Sequence, residues 1–224
     1  MPLPTASKLQ LAMACRASVV LPKVPRPTSA SAERGTTLHA VVSALLLGKE
    51  PPKTRIKCKP DMDQLRFFLG DGPLMSEASF ALDTSTGEFR FLGHGNTDRD
   101  YSNTTPSEIP GTTDIVVTDR VPLIVDVKTG KTRVPPAAEN WQLRFFAACL
   151  GTVKGARGAI AYLRPDGTWE FDECSWTAEE CRAFKAVLCA AWTRDNTPSP
   201  SFANCQYCEC VCEDRDAMTI KDVP

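Results

Sequence analysis

The stretch LIVDVKTGK, residues 123–131, decides how this chain is read. Leu123, Ile124, Val125 and Val127 make the run of a buried strand, yet Asp126 and Lys128 sit within it, two positions apart. Side chains two apart on a strand share one face, so an acid and an amine stand together where burial alone would disfavour both. Just upstream, TTDIVVTD (112–119) reads as a second strand with Asp114 embedded in the same way, and a short turn joins the two. If the strands are hairpin neighbours, Asp114 lies beside Asp126 and Lys128. A structural ion pair would account for Asp126 and Lys128 alone. Two carboxylates converging in a partly buried site repel each other unless a cation lies between them. Hard divalent ions such as Mg2+ take carboxylate oxygens and keep waters. An amine beside such an ion can orient a bound water and offset negative charge, a kit suited to hydrolysing a phosphodiester.

Outward from these strands the pattern alternates between helical and extended periods. SKLQLAMACRAS (7–18) has helical spacing with Thr5 or Ser7 as N-cap, and a Pro/Ser-rich connection, LPKVPRPTSAS (21–31), follows it. ERGTTLHAVVSALLLG (33–48) reads as a loop entering a helix that stops at Gly48. Residues 49–75 carry no clear period. EASFALD (77–83), TSTG (84–87) and EFRFLG (88–93) form a hairpin pattern, and YSNTTPSEIPG (101–111) reads as a loop. PPAAENWQLRFFAACLG (135–151) opens on prolines and runs helically to a glycine. Residues 156–173 form a second hairpin around Pro165-Asp166-Gly167. An amphipathic helix over 177–195 is capped by Thr177, with Glu180 three residues on. Together these elements predict an α/β (α+β) domain around a mixed sheet.

A chain of 224 residues, 42% hydrophobic and 24% charged, can form one large domain or two small ones, with ample material for a core. No stretch approaches the roughly 18 to 20 apolar residues that a membrane span needs, and the N-terminus lacks the order of a signal peptide. A cytoplasmic protein with no membrane partner is expected. The net charge of −1 hides an asymmetry: residues 120–164 hold eight Lys/Arg against two acids, and the stretch from 165 to 224 holds twelve acids against five bases. A basic middle can attract a polyanion even when the whole chain is near neutral. Lys131 and Arg133 face either phosphates or solvent. Of ten cysteines, Cys205, Cys208, Cys210 and Cys212 cluster in NCQYCECVC (204–212). Without a secretion signal, a metal or cluster is a better default for them than disulfides.

GTTDIV, LIVDVKTGK and NWQLRFFAA, taken with RGTTLHAVV (34–42), resemble the PD-(D/E)XK nuclease superfamily and specifically its RecB-like branch. In that branch a histidine on an early helix, a G-x-x-D strand, a D-x-K strand and a Q-x-x-x-Y helix follow in this order. The match spans roughly residues 33–150. The resemblance implies a restriction-endonuclease-like core and binding of Mg2+ or Mn2+ by His39, Asp114, Asp126 and the carbonyl of Val127. Lys128 would handle the attacking water, and Gln142 would position Lys128 or the scissile phosphate. Glu77 opens a strand where relatives often carry an acid and is a supporting candidate. Four residues after Gln142 stands Phe146 where the family has tyrosine, which keeps a stacking surface and loses a hydroxyl.

Relatives with an iron–sulfur cluster, among them the CRISPR-adaptation exonucleases, use one cysteine before the histidine helix and three near the C-terminus. By that resemblance Cys15, Cys205, Cys208 and Cys212 would hold a [4Fe–4S] cluster, with Cys210 in reserve for Cys212 and zinc as the alternative metal. The implied organisation is an N-terminal helix and connection (1–32), a nuclease core (33–195) and a cluster-binding tail (196–224), the two ends joined at the cysteines. The implied activity is that of a DNA exonuclease on single-stranded or frayed ends. The implied partners are DNA and CRISPR-adaptation or phage or bacterial recombination proteins. A catalytically silent DNA-binding subunit and a zinc-binding adaptor are the competing readings.

Overall fold

β1 (Leu74–Asp83), β2 (Phe89–Gly93), β3 (Glu108–Val117), β4 (Leu123–Lys128), β5 (Ala156–Leu163) and β6 (Trp169–Trp176) make one sheet in the computed structural model, in the order β2-β1-β3-β4-β5-β6. The structure describes residues 3–23, 29–95, 100–130, 134–193, 199, 201, 205 and 208–213, so Lys131, Arg133 and much of the 21–31 connection lie outside the described residues. Only β4 and β5 pair in parallel; every other neighbouring pair is antiparallel. A parallel pair needs a crossover, and helix α5 (Trp141–Leu150) supplies it. The expected mixed sheet flanked by helices is the architecture observed.

Among the described residues five further α-helices accompany α5: α1 (Leu9–Ala14), α2 (Ala17–Val20), α3 (Ala30–Leu46), α4 (Met62–Leu69) and α6 (Ala178–Ala190). α5 and α6 cover one face of the sheet. Phe80, Leu82, Ile109, Val116, Ile124 and Ile160 point into that layer with Leu143, Phe145, Phe146 and Leu188. α3 and α4 cover the other face, where Ile115, Val117, Leu123, Val125 and Val127 meet Leu38, Val42, Leu65 and Leu69. Side-chain caps fix the starts of α3, α4, α5 and α6. Asn140 Oδ1 accepts from the backbone of Gln142 and Leu143 at the start of α5, and Thr177 and Glu180 form a full capping box at α6.

Side-chain alternation is regular in β4 but not in β1 or β3. In β1, Met75 packs on the α5/α6 layer and so does Ala78, three residues later, whereas strict alternation would separate them. In β3, Ile109 belongs to the α5/α6 layer while Ile115, of the same parity, belongs to the other. Both strands turn over at matching positions. The β1–β3 ladder pairs Ser76 with Ile115 and Ala78 with Thr113 but skips Glu77 opposite Asp114, and Glu77 has φ +50°, the only non-glycine left-handed residue among those described. Matched kinks keep the two strands paired on either side of Glu77 and Asp114.

Several boundaries differ from the sequence expectation. α3 begins at Ala30, because Ser29 Oγ accepts from the Ala32 N–H at 3.2 Å, within the stretch that reads as connection. The N-terminal helix is broken: a 3-10 turn (Ala6–Lys8) leads into α1, and Cys15 has an extended backbone before α2. β3 begins at Glu108, so the end of the expected loop over 101–111 is strand. Pro110 is tolerated there because β3 pairs with β4 only at residues 115–117, leaving the proline nitrogen on an unpaired side. The unassigned stretch 49–75 contains α4, capped by Asp61. Among the described residues no helix is long and apolar enough to cross a membrane.

Candidate active site

A cavity of about 540 Å³ is lined by residues of α3, α5, the N-terminal turn and the strands β1, β3 and β4. α3 contributes Thr36 and His39 from one side, and Gln142 of α5 and Ser7 of the N-terminal turn contribute from the other. The floor is made of strand residues: Glu77 of β1, Asp114 of β3, and Asp126 and Lys128 of β4. β4 puts Asp126 and Lys128 on the face of Ile124, as period-two alternation requires, while Val127 is buried against α3 and α4.

His39 Nδ1 lies 3.3 Å from Asp114 Oδ1, which joins α3 to β3. Asp114 Oδ2 accepts from the Val127 N–H at 2.6 Å, which joins β3 to β4 just where the regular ladder between them has ended. The N–H and C=O of a strand residue point to the same side, so the Val127 carbonyl also faces β3. Lys128 Nζ straddles the Asp126 carboxylate, 2.9 Å from Oδ1 and 2.7 Å from Oδ2. Donor atoms of His39, Glu77 and Asp114 all lie within 4.8 Å of one another. Asp126 is not part of that group; its charge is matched by Lys128. Gln142 Nε2 donates to the Thr112 carbonyl at 3.3 Å.

The electrostatics follow from burial and pairing. Burial would lower the His39 pKa, but the hydrogen bond and negative charge of Asp114 outweigh it and raise it above the ordinary histidine value. Burial likewise opposes ionisation of Asp114, yet His39, the Val127 N–H and Lys128 hold its pKa below the usual carboxylate range. For Asp126 the balance tips the other way: burial, with the charge of Asp114, raises its pKa against the pull of Lys128. Two neighbouring buried carboxylates are thus driven apart in affinity for the proton. The donor set of one imidazole and several carboxylate oxygens, with a carbonyl beside them, fits a hard divalent cation rather than a soft one.

Of the sequence candidates, His39, Glu77, Asp114, Asp126, Lys128 and Gln142 come together at this cleft. Phe146 does not. Its ring is fully buried against Phe80 and Phe145, with Gly111 beneath it, so the expected stacking surface is part of the core instead. Thr36 and Ser7 carried no signal of their own, although Thr36 lies three residues before His39 and so shares its helix face. Gly111 lets the N-terminal turn approach: a Cβ there would stand 2.5 Å from that of Ala6.

Cys208, Glu209 and Cys210 line a second cavity with Leu11 and Ala12 of α1 and Ser18 and Val19 of α2. Val211 N–H donates to the Pro22 carbonyl at 2.8 Å, Cys210 Sγ donates to the Ser18 carbonyl at 3.3 Å, and Cys15 Sγ accepts from the Ser199 N–H at 3.3 Å. Cys208 and Cys210 are buried, while Cys15, Cys205 and Cys212 are half-buried. Burial, then the neighbouring Cys208 thiol, pushes the Cys210 thiol up to about 11, with Cys15 adding a smaller push. Among the described residues these cysteines form no group of three placed to hold a metal ion.

Three comparisons bear on this arrangement. A family model described as the PD-(D/E)XK nuclease superfamily matches residues 5–212. None of the curated proteins matches the chain. Among solved structures the crystal structure of SSO0001 is similar at 16% identity with a TM-score of 0.33, covering 76% of this chain. The chain spans 63% of the length of that protein.

Proposed function

The chain belongs to the PD-(D/E)XK nuclease superfamily, and we propose that it is a metal-dependent DNA nuclease of the RecB-like branch, acting as an exonuclease on single-stranded or frayed ends. The observation that carries the reading is the convergence of His39, Glu77 and Asp114 within 4.8 Å, beside the Asp126–Lys128 pair, in one open cleft. In this reading His39, Asp114 and the Val127 carbonyl hold Mg2+ or Mn2+, Glu77 joins them, and Asp126 lies alongside. The cation, when bound, supplies Lewis-acid activation of water and of the phosphate.

The side chains then divide the remaining work. Lys128, a donor only, orients the attacking water and faces the negative charge that grows on the phosphate oxygens. The water loses one proton as its oxygen bonds to phosphorus. Asp126, with its raised pKa, is the carboxylate best suited to take that proton. The bond from phosphorus to the leaving oxygen breaks in line, and that oxygen takes a proton from solvent. Gln142 turns from Thr112 to hold a phosphate oxygen. The basic segment 120–164 attracts the strand.

Cys15, Cys205 and Cys208 with one of Cys210 or Cys212 are proposed to hold a [4Fe–4S] cluster joining the segment 1–32 to the tail 196–224 across the core 33–195. The burial of Cys210 beside Cys208, with Cys15 near, supports Cys210 over Cys212 as the last ligand. A place in CRISPR adaptation or in phage or bacterial recombination would suit such an enzyme.

The test is cleavage of end-labelled single-stranded DNA with Mn2+ or Mg2+, run beside Lys128→Ala and Asp126→Asn. A fall in rate of at least about a hundredfold in both variants is expected. Equal cleavage by all three preparations would mark a contaminant and end the assignment.

A further inference from the structure

We propose that Ser43 and Ser76 are positioning residues whose buried hydroxyl pair clamps α3 onto β1 and sets the spacing of His39, Glu77 and Asp114. The proposal rests on the reading of those three side chains as a metal-holding group. Neither serine lines the cleft. They border a separate void of about 10 Å³ behind it, shared with His39, Glu77 and Asp114.

The geometry is a three-way junction. Ser43 follows His39 by four residues on α3, so both project from the same helix face. Ser76 immediately precedes Glu77. The Ser76 hydroxyl donates to Ser43 Oγ at 2.8 Å and lies 3.2 Å from the main-chain carbonyl of Asp114. Each of the three metal-group residues is therefore one turn, one peptide or no distance at all from the clamp. This is also where the β1–β3 ladder skips its Glu77–Asp114 pair, so a side-chain hydroxyl reaches the Asp114 carbonyl at a break in the regular pairing.

Packing does not require hydroxyls here. Both serines are buried, and removing two mutually bonded hydroxyls leaves neither of them unpaired, so the stability lost is that of the bond to the Asp114 carbonyl that Ser76 also reaches. What the pair adds is direction. An apolar contact between α3 and β1 would let the helix slide, whereas a 2.8 Å hydrogen bond fixes the distance between them. Glu77 is held in a left-handed conformation that an L-residue avoids, and such a conformation persists only where the surroundings over-determine it. The clamp on the preceding residue is one of those constraints.

The experiment uses the full-length protein and its variants Ser43→Ala, Ser76→Ala, the double alanine variant, and Ser76→Thr. Mn2+ binding is titrated by calorimetry, melting is followed in parallel, and hydrogen exchange over residues 74–79 is measured in the ion-free protein. Each alanine variant is expected to bind Mn2+ about tenfold or more weakly, and the double variant no more weakly than the singles, because they share one device. The double variant should melt no lower than Ser76→Ala alone, and Ser76→Thr should recover most of the affinity. Unchanged Mn2+ affinity in the alanine variants, or affinity that returns together with stability in the double variant, would overturn the proposal. A wild-type protein that binds no Mn2+ would sink the metal reading instead. In that case faster exchange over 74–79 in the alanine variants would uphold the clamp, and unchanged exchange would overturn it.

Discussion

Glu77 faces Asp114 across the β1–β3 ladder at the one position where that ladder omits a pair, and both strands change faces there. The carboxylate at 77 is thus delivered to the cleft by a backbone kink rather than by alternation. If the kink serves the metal group, it costs stability that can be recovered. Glu77→Gly should stabilise the ion-free protein by about 1 kcal/mol relative to Glu77→Ala, because glycine adopts the left-handed conformation freely. Both variants should bind Mn2+ more weakly than wild type. Urea unfolding in a chelator, paired with Mn2+ titration, separates the two effects.

The His39–Asp114 contact sets a pH dependence. His39 must be neutral to bind a cation, and its pKa is raised, so protons compete for it at a higher pH than for an ordinary histidine of about 6.5. Mn2+ affinity should therefore keep climbing as pH rises above about 6.5, and His39→Asn should flatten the curve as well as lower it. For folding without metal the sign is opposite. A raised pKa stabilises fully below the unfolded value and loses that contribution as pH rises through the folded one.

Glu108 at the start of β3 gives an acid-side prediction. Arg90 Nε donates to Glu108 Oε1 at 2.6 Å and Thr105 N–H to Oε2 at 2.7 Å, so hydrogen bonds from Arg90 first, against burial, hold the Glu108 pKa below the usual range. A depressed pKa contributes stability above the unfolded value and loses it as pH falls through the folded one. Because Arg90 is itself largely open to solvent, Glu108→Gln should cost only about 1 kcal/mol at neutral pH. The difference from wild type should shrink below about pH 4. Melting curves across that range give the comparison.

Gly111 governs the wall opposite α3. Gly111→Ala drives a Cβ into Ala6 and toward the Phe145 and Phe146 rings, so it should destabilise by about 1–3 kcal/mol. It should also push the Ala6–Lys8 turn outward and take Ser7 from the cleft. Faster hydrogen exchange over residues 5–9, with Mn2+ affinity retained, is the expected pattern.

The tail offers a test that needs no DNA. If iron is bound as proposed, protein from anaerobic reconstitution should lose its visible iron–sulfur absorbance on Cys15→Ala, Cys208→Ala and Cys210→Ala. Cys212→Ala, at a more open position, should keep it. Colour lost with Cys212→Ala and kept with Cys210→Ala would reverse the ligand assignment.

Much of the cleft was legible because its parts are local. The period of β4 places Asp126 beside Lys128, a hairpin brings β3 alongside, and the order of motifs includes His39 and Gln142. Glu77 was legible only as an acid at the start of a strand. Its delivery to the group depends on a left-handed non-glycine residue, and no pattern of residue types announces that. Phe146 has the spacing of a cleft residue on α5 but is claimed by the core, since Phe80 and Gly111 leave a ring-sized space beneath the helix. The start of α3 was hidden by the serines and prolines before it, and Pro110 concealed the beginning of β3. In both cases one tertiary or capping contact outweighed local propensity.

The paired kinks in β1 and β3 also restrict how this chain can change in length. Deleting or inserting one residue in either strand alone would invert the inside and outside of everything beyond it, exposing Phe80 or Ile115 and burying polar neighbours. Only a matching change in the partner strand would restore the seal. Variants of this protein selected for altered strand length should therefore carry compensating indels on both sides of Glu77 and Asp114, or none.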